Sequence, residues 1–271
     1  MRILTIQDIS CLGQCSMTVA LPVLSACGHE TCILPTAMLS THTGGFQNPA
    51  VIQLADFIPR VREHWAREGI AFDAVYTGYL GSVAAIRETE QLVRDFLKPN
   101  GLLIVDPAMA DHGKLYKGFD TRYAEAMAGL CRHADMILPN ITEAAMLSGL
   151  PFRDRPDESY LTDLLSGLDH PCVVMTGAGC QAGETGAAIL DHGKRYDYRH
   201  PKLGGNYHGT GDLFASAFTG ALLRGKTMEG SARIGAEMVC EAIRHTRQDP
   251  AHWYGVKFEA AIPWLVSELA K

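Results

Sequence analysis

Two glycines flank a threonine in "GTGD", residues 209–212, and an acid follows them directly. Glycines allow backbone conformations that turn several N–H groups toward one point, and a helix start adds partial positive charge there. Such a loop can hold a phosphate. Asp212 is then either a helix N-terminal charge or a base that takes a proton from an attacking hydroxyl. The combination favours phosphoryl transfer to an alcohol, although a short glycine motif alone is weak evidence.

Further acids and amides occur in two other loop-like segments. They are Asp106 and Asp111 in "DPAMADHGKLY" and Asn140 and Glu143 in "PNITEAAMLSG". Loop carboxylates suit Mg²⁺, which bridges protein oxygens to phosphates. Taken singly, each acid is better explained as a helix cap or a solvated loop charge than as a metal ligand. The chain contains neither a P-loop nor the catalytic loop of protein kinases, so it belongs to neither of those nucleotide-using classes.

A polar loop near the N-terminus is the third candidate. "LSTHTGGF", residues 39–46, places His42 and Thr43 just before a glycine pair. A polar loop that ends in glycines can close over a small ligand, and it can equally be a surface connection.

The elements that must position these residues alternate between short apolar runs and helical periodicity. Strands are predicted at residues 2–7, 29–36, 72–78, 101–107, 134–140 and 171–177. The alternation predicts a three-layer α/β fold with a mostly parallel sheet and helices on both faces. Residues 184–190 and 194–200 are expected to form a hairpin at the sheet edge, and three helices are expected after Asp212. Residues 51–68 are interpreted as one helix, kinked or interrupted at Pro59.

Ligands of open parallel sheets bind at the carboxyl ends of the strands. Polar residues cluster at those ends, at Gln7-Asp8, Thr77-Gly78-Tyr79, Asp106-Pro107, Pro139-Asn140 and Thr176-Gly177. We therefore expect one shared cleft. The chain has no internal repeat and no Pro/Gly/Ser linker, which predicts a single domain over residues 1–271.

Composition excludes some classes of partner. The net charge of −6 argues against non-specific binding to nucleic acid or to an anionic membrane. The eight cysteines form no C-x-x-C pair and follow no secretory signal, so we expect reduced thiols in a cytoplasmic protein. Residues 9–28 carry no charge, but their polar residues and missing basic flank favour a buried loop and helix over a membrane span.

Together the motifs resemble the pyridoxal (vitamin B6) kinases of the ribokinase-like superfamily. In chain order, the resemblance rests on "TIQD", "STHTGGF", "TGYLGS", "DPAMADHGKLY", "PNITEAAMLSG", "VVMTG" and "HGTGDLF". It implies a cytoplasmic homodimer that uses ATP and Mg²⁺ to phosphorylate the 5′-hydroxymethyl group of pyridoxal, pyridoxamine or pyridoxine.

The resemblance also assigns roles by position. It makes Asp212 the base that activates the hydroxymethyl group, with the amides of Gly209, Thr210 and Gly211 on the transferring phosphoryl group. The remaining assignments are Asp8, His42, Thr43 and Tyr79 at the substrate, Asp106, Asn140, Glu143, Thr176, Lys202 and Leu203 at the nucleotide, and Asp106, Asp111 and Glu143 at the metal.

Two positions depart from the family pattern. Asp8 stands where many pyridoxal kinases carry a serine, and a carboxylate favours a cationic ligand, so we expect a preference for pyridoxamine. Leu138 stands where relatives often carry a threonine, which leaves the need for a monovalent cation open.

Two alternatives stay open at this point. A hydroxymethylpyrimidine kinase of thiamine synthesis would share "GTGD" and the fold, and a non-catalytic sensor of B6 vitamers or nucleotide would share the cleft. A dehydrogenase is disfavoured, because no G-x-G-x-x-G follows the first strand.

Overall fold

The computed structural model describes residues 1–271. The strands are β1 (Arg2–Ser10), β2 (Glu30–Leu39), β3 (Val51–Gln53), β4 (Phe72–Thr77), β5 (Leu97–Val105), β6 (Ala110–Asp111), β7 (Lys114–Leu115), β8 (Met136–Ile137), β9 (Cys172–Thr176), β10 (Glu184–Asp191) and β11 (Lys194–Pro201). The helices are α1 (Met17–Ala26), α2 (Ile58–Glu68), α3 (Val83–Phe96), α4 (Thr121–Arg132), α5 (Ile141–Ser148), α6 (Glu158–Gly167), α7 (Thr210–Leu223), α8 (Met228–Thr246) and α9 (Ile262–Leu269). Short 3₁₀ turns precede α2 and α9.

Nine strands form one sheet in the order β11-β10-β9-β8-β5-β4-β1-β2-β3. The six strands from β9 to β2 run parallel, and β3 and the β10–β11 hairpin add antiparallel strands at the two edges. The predicted mostly parallel sheet with an edge hairpin is therefore confirmed. Because strands from both halves of the chain share this sheet, we propose that residues 1–271 form one domain.

Helices cover both faces of the sheet, because successive strand side chains point to opposite sides. In β1, Leu4 and Ile6 join a core with residues of α2 to α6, whereas Ile3 packs with residues of α1, α7 and α8. All three side chains are completely buried, and each contributes about 1.5–3 kcal/mol to stability. This arrangement confirms the predicted three layers.

The segment 51–68 corrects the prediction of one helix. Its first three residues form β3, which pairs antiparallel with Ala37–Leu39 of β2, and the helix proper begins at Ile58. Pro59 lies in the first turn of α2, where its missing N–H costs nothing. The proline therefore starts this helix and does not kink it.

The uncharged segment 9–28 contains the end of β1, a loop and the ten-residue helix α1. None of the helices combines the length and apolar character that crossing a bilayer requires.

Candidate active site

The polar strand ends form one continuous row at the carboxyl edge of the sheet. The Asp8 N–H donates to the Tyr79 carbonyl at 3.2 Å, and the Asp106 N–H donates to the Thr77 carbonyl at 3.0 Å. Further along, the Thr176 N–H donates to the Pro139 carbonyl at 2.9 Å. Each of these bonds joins the carboxyl ends of two strands that are neighbours in the sheet. The five predicted polar segments therefore lie along one edge of the sheet, as a shared cleft requires.

The "GTGD" loop ends at the first turn of α7. Gly209 has a φ of 78°, and a Cβ at this position would lie 1.9 Å from the Gln14 carbonyl oxygen, so only glycine fits. A Cβ at Gly211, by contrast, would meet no atom within 4 Å. The N–H groups of Thr210, Gly211 and Asp212 donate to no acceptor within the protein. This helix start can therefore bind an anion in open space in front of Gly211.

Asp212 lies partly buried beside these amides. Burial raises its pKa, the Ser16 N–H lowers it and the negative charge of Asp8 raises it, with a net value of about 6. Ser16 itself has a φ of 51°, a backbone strain that costs on the order of 1–3 kcal/mol. A carboxylate with a pKa near 6 is mostly ionised at neutral pH and is well suited to accept a proton.

Asp8 is a second carboxylate on the floor of the cleft, with 5% of its surface exposed. Burial raises its pKa, and hydrogen bonds from the Ser16 and Ser10 hydroxyls, the latter at 3.4 Å, oppose that effect. The neighbouring Tyr79 ring stacks on Phe119 with centroids 5.2 Å apart. A carboxylate beside an aromatic face can bind a flat ligand that carries a positive charge.

A third group of acids lies between the carboxyl end of β5 and the start of helix α5. Asp106 is 8% exposed, and burial together with the charges of Glu143 and Asp212 raises its pKa. One of its oxygens accepts the Ala108 N–H at 3.1 Å, and the other accepts no hydrogen bond within the protein. A buried carboxylate with a free oxygen, surrounded by other acids, fits a divalent cation.

Glu143 is more firmly tied to the backbone. It forms a capping box with Asn140, and its Oε1 accepts the N–H groups of Met109 and Ala110 at 3.0 and 3.3 Å. Burial nevertheless raises its pKa to about 7. Its hydrogen bonds hold the segment that contains Asp106 and Asp111 against α5. Glu143 therefore positions this segment and also adds negative charge to the site.

A cavity of about 590 Å³ opens next to this acid group. It is lined by Asp111, Asn140, Thr176 and Lys202 of the predicted nucleotide and metal residues. Leu203 lies elsewhere, in a separate hollow between β11 and the helices α8 and α9. Of the six predicted nucleotide residues, Asn140, Thr176 and Lys202 line this cavity, Asp106 and Glu143 belong to the neighbouring acid group, and Leu203 lies apart.

The loop that carries His42 packs against the C-terminal part of the chain. The Nδ1 atom of His42 accepts the Gly44 N–H at 3.0 Å, which leaves Nε2 to donate to the Tyr254 carbonyl at 2.7 Å. Phe46 contacts Trp253 with ring centroids 4.7 Å apart. Both ring nitrogens of His42 thus have hydrogen-bond partners, and these bonds tie the loop to the C-terminal part of the chain. Thr43 is exposed on that loop.

A family model described as phosphomethylpyrimidine kinase matches residues 20–255. The chain belongs to this kinase family. The predicted membership of the ribokinase-like small-molecule kinases is confirmed by this match and by the relatives.

Three relatives illustrate the likeness. A pyridoxine/pyridoxal/pyridoxamine kinase of Bordetella bronchiseptica is 28% identical over 91% of this chain and 89% of its own length. The crystal structure of a pyridoxal kinase from Lactobacillus plantarum has a TM-score of 0.89 at 36% identity, covering 98% of this chain and 96% of that one. A Bacteroides thetaiotaomicron structure, described as a candidate phosphomethylpyrimidine kinase and solved with pyridoxal, has a TM-score of 0.91 at 30% identity, covering 97% and 95%.

Sequence reasoning missed several residues of the kinase cleft. Ser16 and Cys15 lie next to Asp8 and Asp212, and both belong to the polar stretch that directly follows the first strand. Arg153 and Arg155 line the cavity beside Lys202. The basic residues of "RDRPD" after α5 are the signal that could have indicated an anionic ligand at this place.

Proposed function

We propose that the protein transfers the γ-phosphoryl group of ATP to the 5′-hydroxymethyl group of a B6 vitamer. The observation that carries the proposal is the position of Asp212, a carboxylate with a pKa of about 6, beside three N–H groups that have no acceptor. The names of the Bordetella and Lactobacillus relatives and the pyridoxal in the Bacteroides structure support the substrate class.

The proposed reaction follows from the roles of these groups. Asp212 accepts the proton of the hydroxymethyl group, whose oxygen attacks the γ-phosphorus of ATP while the bond to the bridging oxygen of ADP breaks. The N–H groups of Thr210, Gly211 and Asp212 stabilise the charge on the transferring phosphoryl oxygens. Gly209 keeps these amides in place, because a side chain there would push the helix start away from Gln14.

ATP is proposed to occupy the cavity of about 590 Å³, with its adenosine part near Thr176 and its phosphates toward α7. Lys202, Arg153 and Arg155 would offset phosphate charge in a protein whose net charge is −6. Asp106 would hold Mg²⁺ with Glu143 beside it and Asp111 at the cavity mouth. Mg²⁺ would supply the charge that neutralises the phosphates.

Within the B6 vitamers we propose a preference for pyridoxamine, because Asp8 can pair with its ammonium group. In Asp8→Ser, the ratio of kcat/KM for pyridoxamine to that for pyridoxal should fall about tenfold, the equivalent of about 1.4 kcal/mol. Ser10→Ala is the matched control, since it removes a hydrogen bond to Asp8 but keeps the carboxylate. An unchanged ratio in Asp8→Ser would refute the assignment of Asp8.

A second candidate function follows from the description of the matching family. Hydroxymethylpyrimidine also presents a hydroxymethyl group on a nitrogen-containing ring, and the same base and amides would serve it. ATP consumption measured with pyridoxal, pyridoxamine, pyridoxine and hydroxymethylpyrimidine separates the two candidates. Turnover with none of the four would instead favour the non-catalytic sensor, and turnover that persists in Asp212→Asn would contradict the proposed base.

A further inference from the structure

A second group of chemically reactive side chains lies at the opposite edge of the sheet from the cleft. Cys172 is the first residue of β9 and Asp191 is the last residue of β10, and the two are direct partners in the antiparallel pairing. Partners of this kind project their side chains to the same face of the sheet. His192 follows Asp191 in the turn of the hairpin. A thiol, a carboxylate and an imidazole therefore meet where the two strands come together.

The three side chains are close enough together to bind one metal ion. One ligand atom from each of Cys172, Asp191 and His192 lies within 4.8 Å of the other two, and Cys172 Sγ is 3.4 Å from His192 Nε2. With Zn–S near 2.3 Å and Zn–N near 2.0–2.1 Å, tetrahedral coordination separates sulfur and nitrogen by about 3.6 Å. The thiol and the imidazole are thus already spaced as two ligands of one zinc ion.

The backbone fixes the position of His192, the third residue of the group. His192 and Gly193 have φ values of 47° and 83°, which corresponds to a two-residue hairpin turn of type I′. The His192 N–H donates to the Pro171 carbonyl at 2.8 Å, which ties the turn to the residue before Cys172. The imidazole is therefore held near the thiol by two separate chain segments.

We propose that Cys172, Asp191 and His192 bind one Zn²⁺ ion, with water as the fourth ligand. The sulfur side of the site is closed, because Cys172 is 6% exposed, whereas His192 is exposed and leaves one position open to solvent. Binding replaces the thiol S–H bond with an S–Zn bond and releases one proton to the buffer. The mixed sulfur, nitrogen and oxygen ligands favour Zn²⁺ over the Mg²⁺ proposed for the cleft.

The chain contains a natural comparison for this site. Cys240 Sγ lies 3.4 Å from His200 Nδ1, the same separation, but no carboxylate joins that pair in a three-ligand group. If a thiol and an imidazole sufficed, both places would bind the ion. If the carboxylate is required, only the site at Cys172 will bind the ion.

The test uses the full chain with Zn²⁺ or Co²⁺ alone. Zn²⁺ affinity is measured by competition with a chromophoric chelator, and Co²⁺ reports a thiolate ligand through its near-ultraviolet charge-transfer absorption. We expect one thiolate-coordinated ion per chain, with an absorption band that Cys172→Ser abolishes. His192→Asn, which suits a type I′ turn, should keep the fold and weaken Zn²⁺ binding more than about tenfold.

Cys240→Ser should leave both the band and the affinity unchanged. Acids of the cleft without a thiol produce no such band, and Cys15→Ser tests the one thiol that lies near them. The proposal is overturned if the native chain shows no thiolate band, if the band persists in Cys172→Ser, or if it disappears in Cys240→Ser or Cys15→Ser.

Discussion

Replacing Asp212 by asparagine should raise the stability of the protein at alkaline pH while it abolishes the proposed activity. Burial and the nearby charge of Asp8 raise the pKa of Asp212 from 3.8 to about 6. A raised pKa means that the folded state disfavours the ionised carboxylate. At about 1.36 kcal/mol per pKa unit, ionisation of Asp212 costs the folded state about 3 kcal/mol. Solvent at the cleft mouth screens part of this, so we expect a gain of about 1–3 kcal/mol in Asp212→Asn.

The sign of the pH dependence makes the experiment specific. Above the folded pKa the carboxylate is ionised in both states and the full cost applies, whereas below the unfolded value of 3.8 it is neutral in both and the cost vanishes. The gain in Asp212→Asn should therefore be largest near pH 8 and fall to roughly a fifth of that near pH 4. Urea denaturation at several pH values measures it, and a gain of this size raises Tm by about 2–4 °C per kcal/mol.

Asp111→Asn is the matched control, because it makes the same chemical change at an exposed carboxylate of the same cleft. Its effect on the free energy of unfolding should stay within about 0.5 kcal/mol at every pH. The reasoning is refuted if Asp212→Asn is no more stable than the native protein at pH 8, or if its gain does not change with pH.

Three further substitutions test the anion site and the cavity. Gly209→Ala should destabilise the protein by about 2 kcal/mol or more, because the added Cβ meets a backbone carbonyl at 1.9 Å. Gly211→Ala, with open space around its Cβ, should keep the stability of the native protein and lower kcat. Equal losses of stability in the two variants, measured by urea denaturation, would contradict this interpretation. Lys202→Ala should raise the KM for ATP several-fold and leave the KM for the vitamer unchanged in steady-state assays, and an unchanged KM for ATP would remove Lys202 from the nucleotide site.

The sequence predicted the sheet and the cleft because both depend on local patterns. Alternating apolar runs specify buried parallel strands, and the rule for ligand sites then selects the strand ends without knowledge of the strand order. The edge strand β3 was missed for the opposite reason. Val51 and Ile52 are compatible with either a strand or a helix. Their pairing with Met38 and Leu39 makes the segment a strand, and no local sequence pattern reveals that pairing.

The same limit applies to individual site residues. His42 stays a predicted substrate residue, but its hydrogen-bond partner, the Tyr254 carbonyl, lies 212 residues away and could not be identified from the sequence. The zinc ligands Cys172 and His192 are 20 residues apart and show none of the short spacings typical of zinc sites. Only the hairpin register brings them together, so their proximity is a property of the fold.

The acids of the cleft share one physical feature, which leads to a last prediction. Burial raises the pKa of Asp8, Asp106, Glu143 and Asp212 alike, so the free protein stores unfavourable electrostatic energy that a bound cation would offset. Glu143 and Asp212 have pKa values of about 7 and 6, so they lose their charge as the pH falls below neutrality. Mg²⁺ at ten times its Kd stabilises the folded state by about 1.4 kcal/mol. Its effect on Tm, measured against NaCl of equal ionic strength, should therefore be clear at pH 8, weak at pH 5.5 and absent in Asp106→Asn; an equal effect at both pH values would show that these carboxylates do not hold the ion.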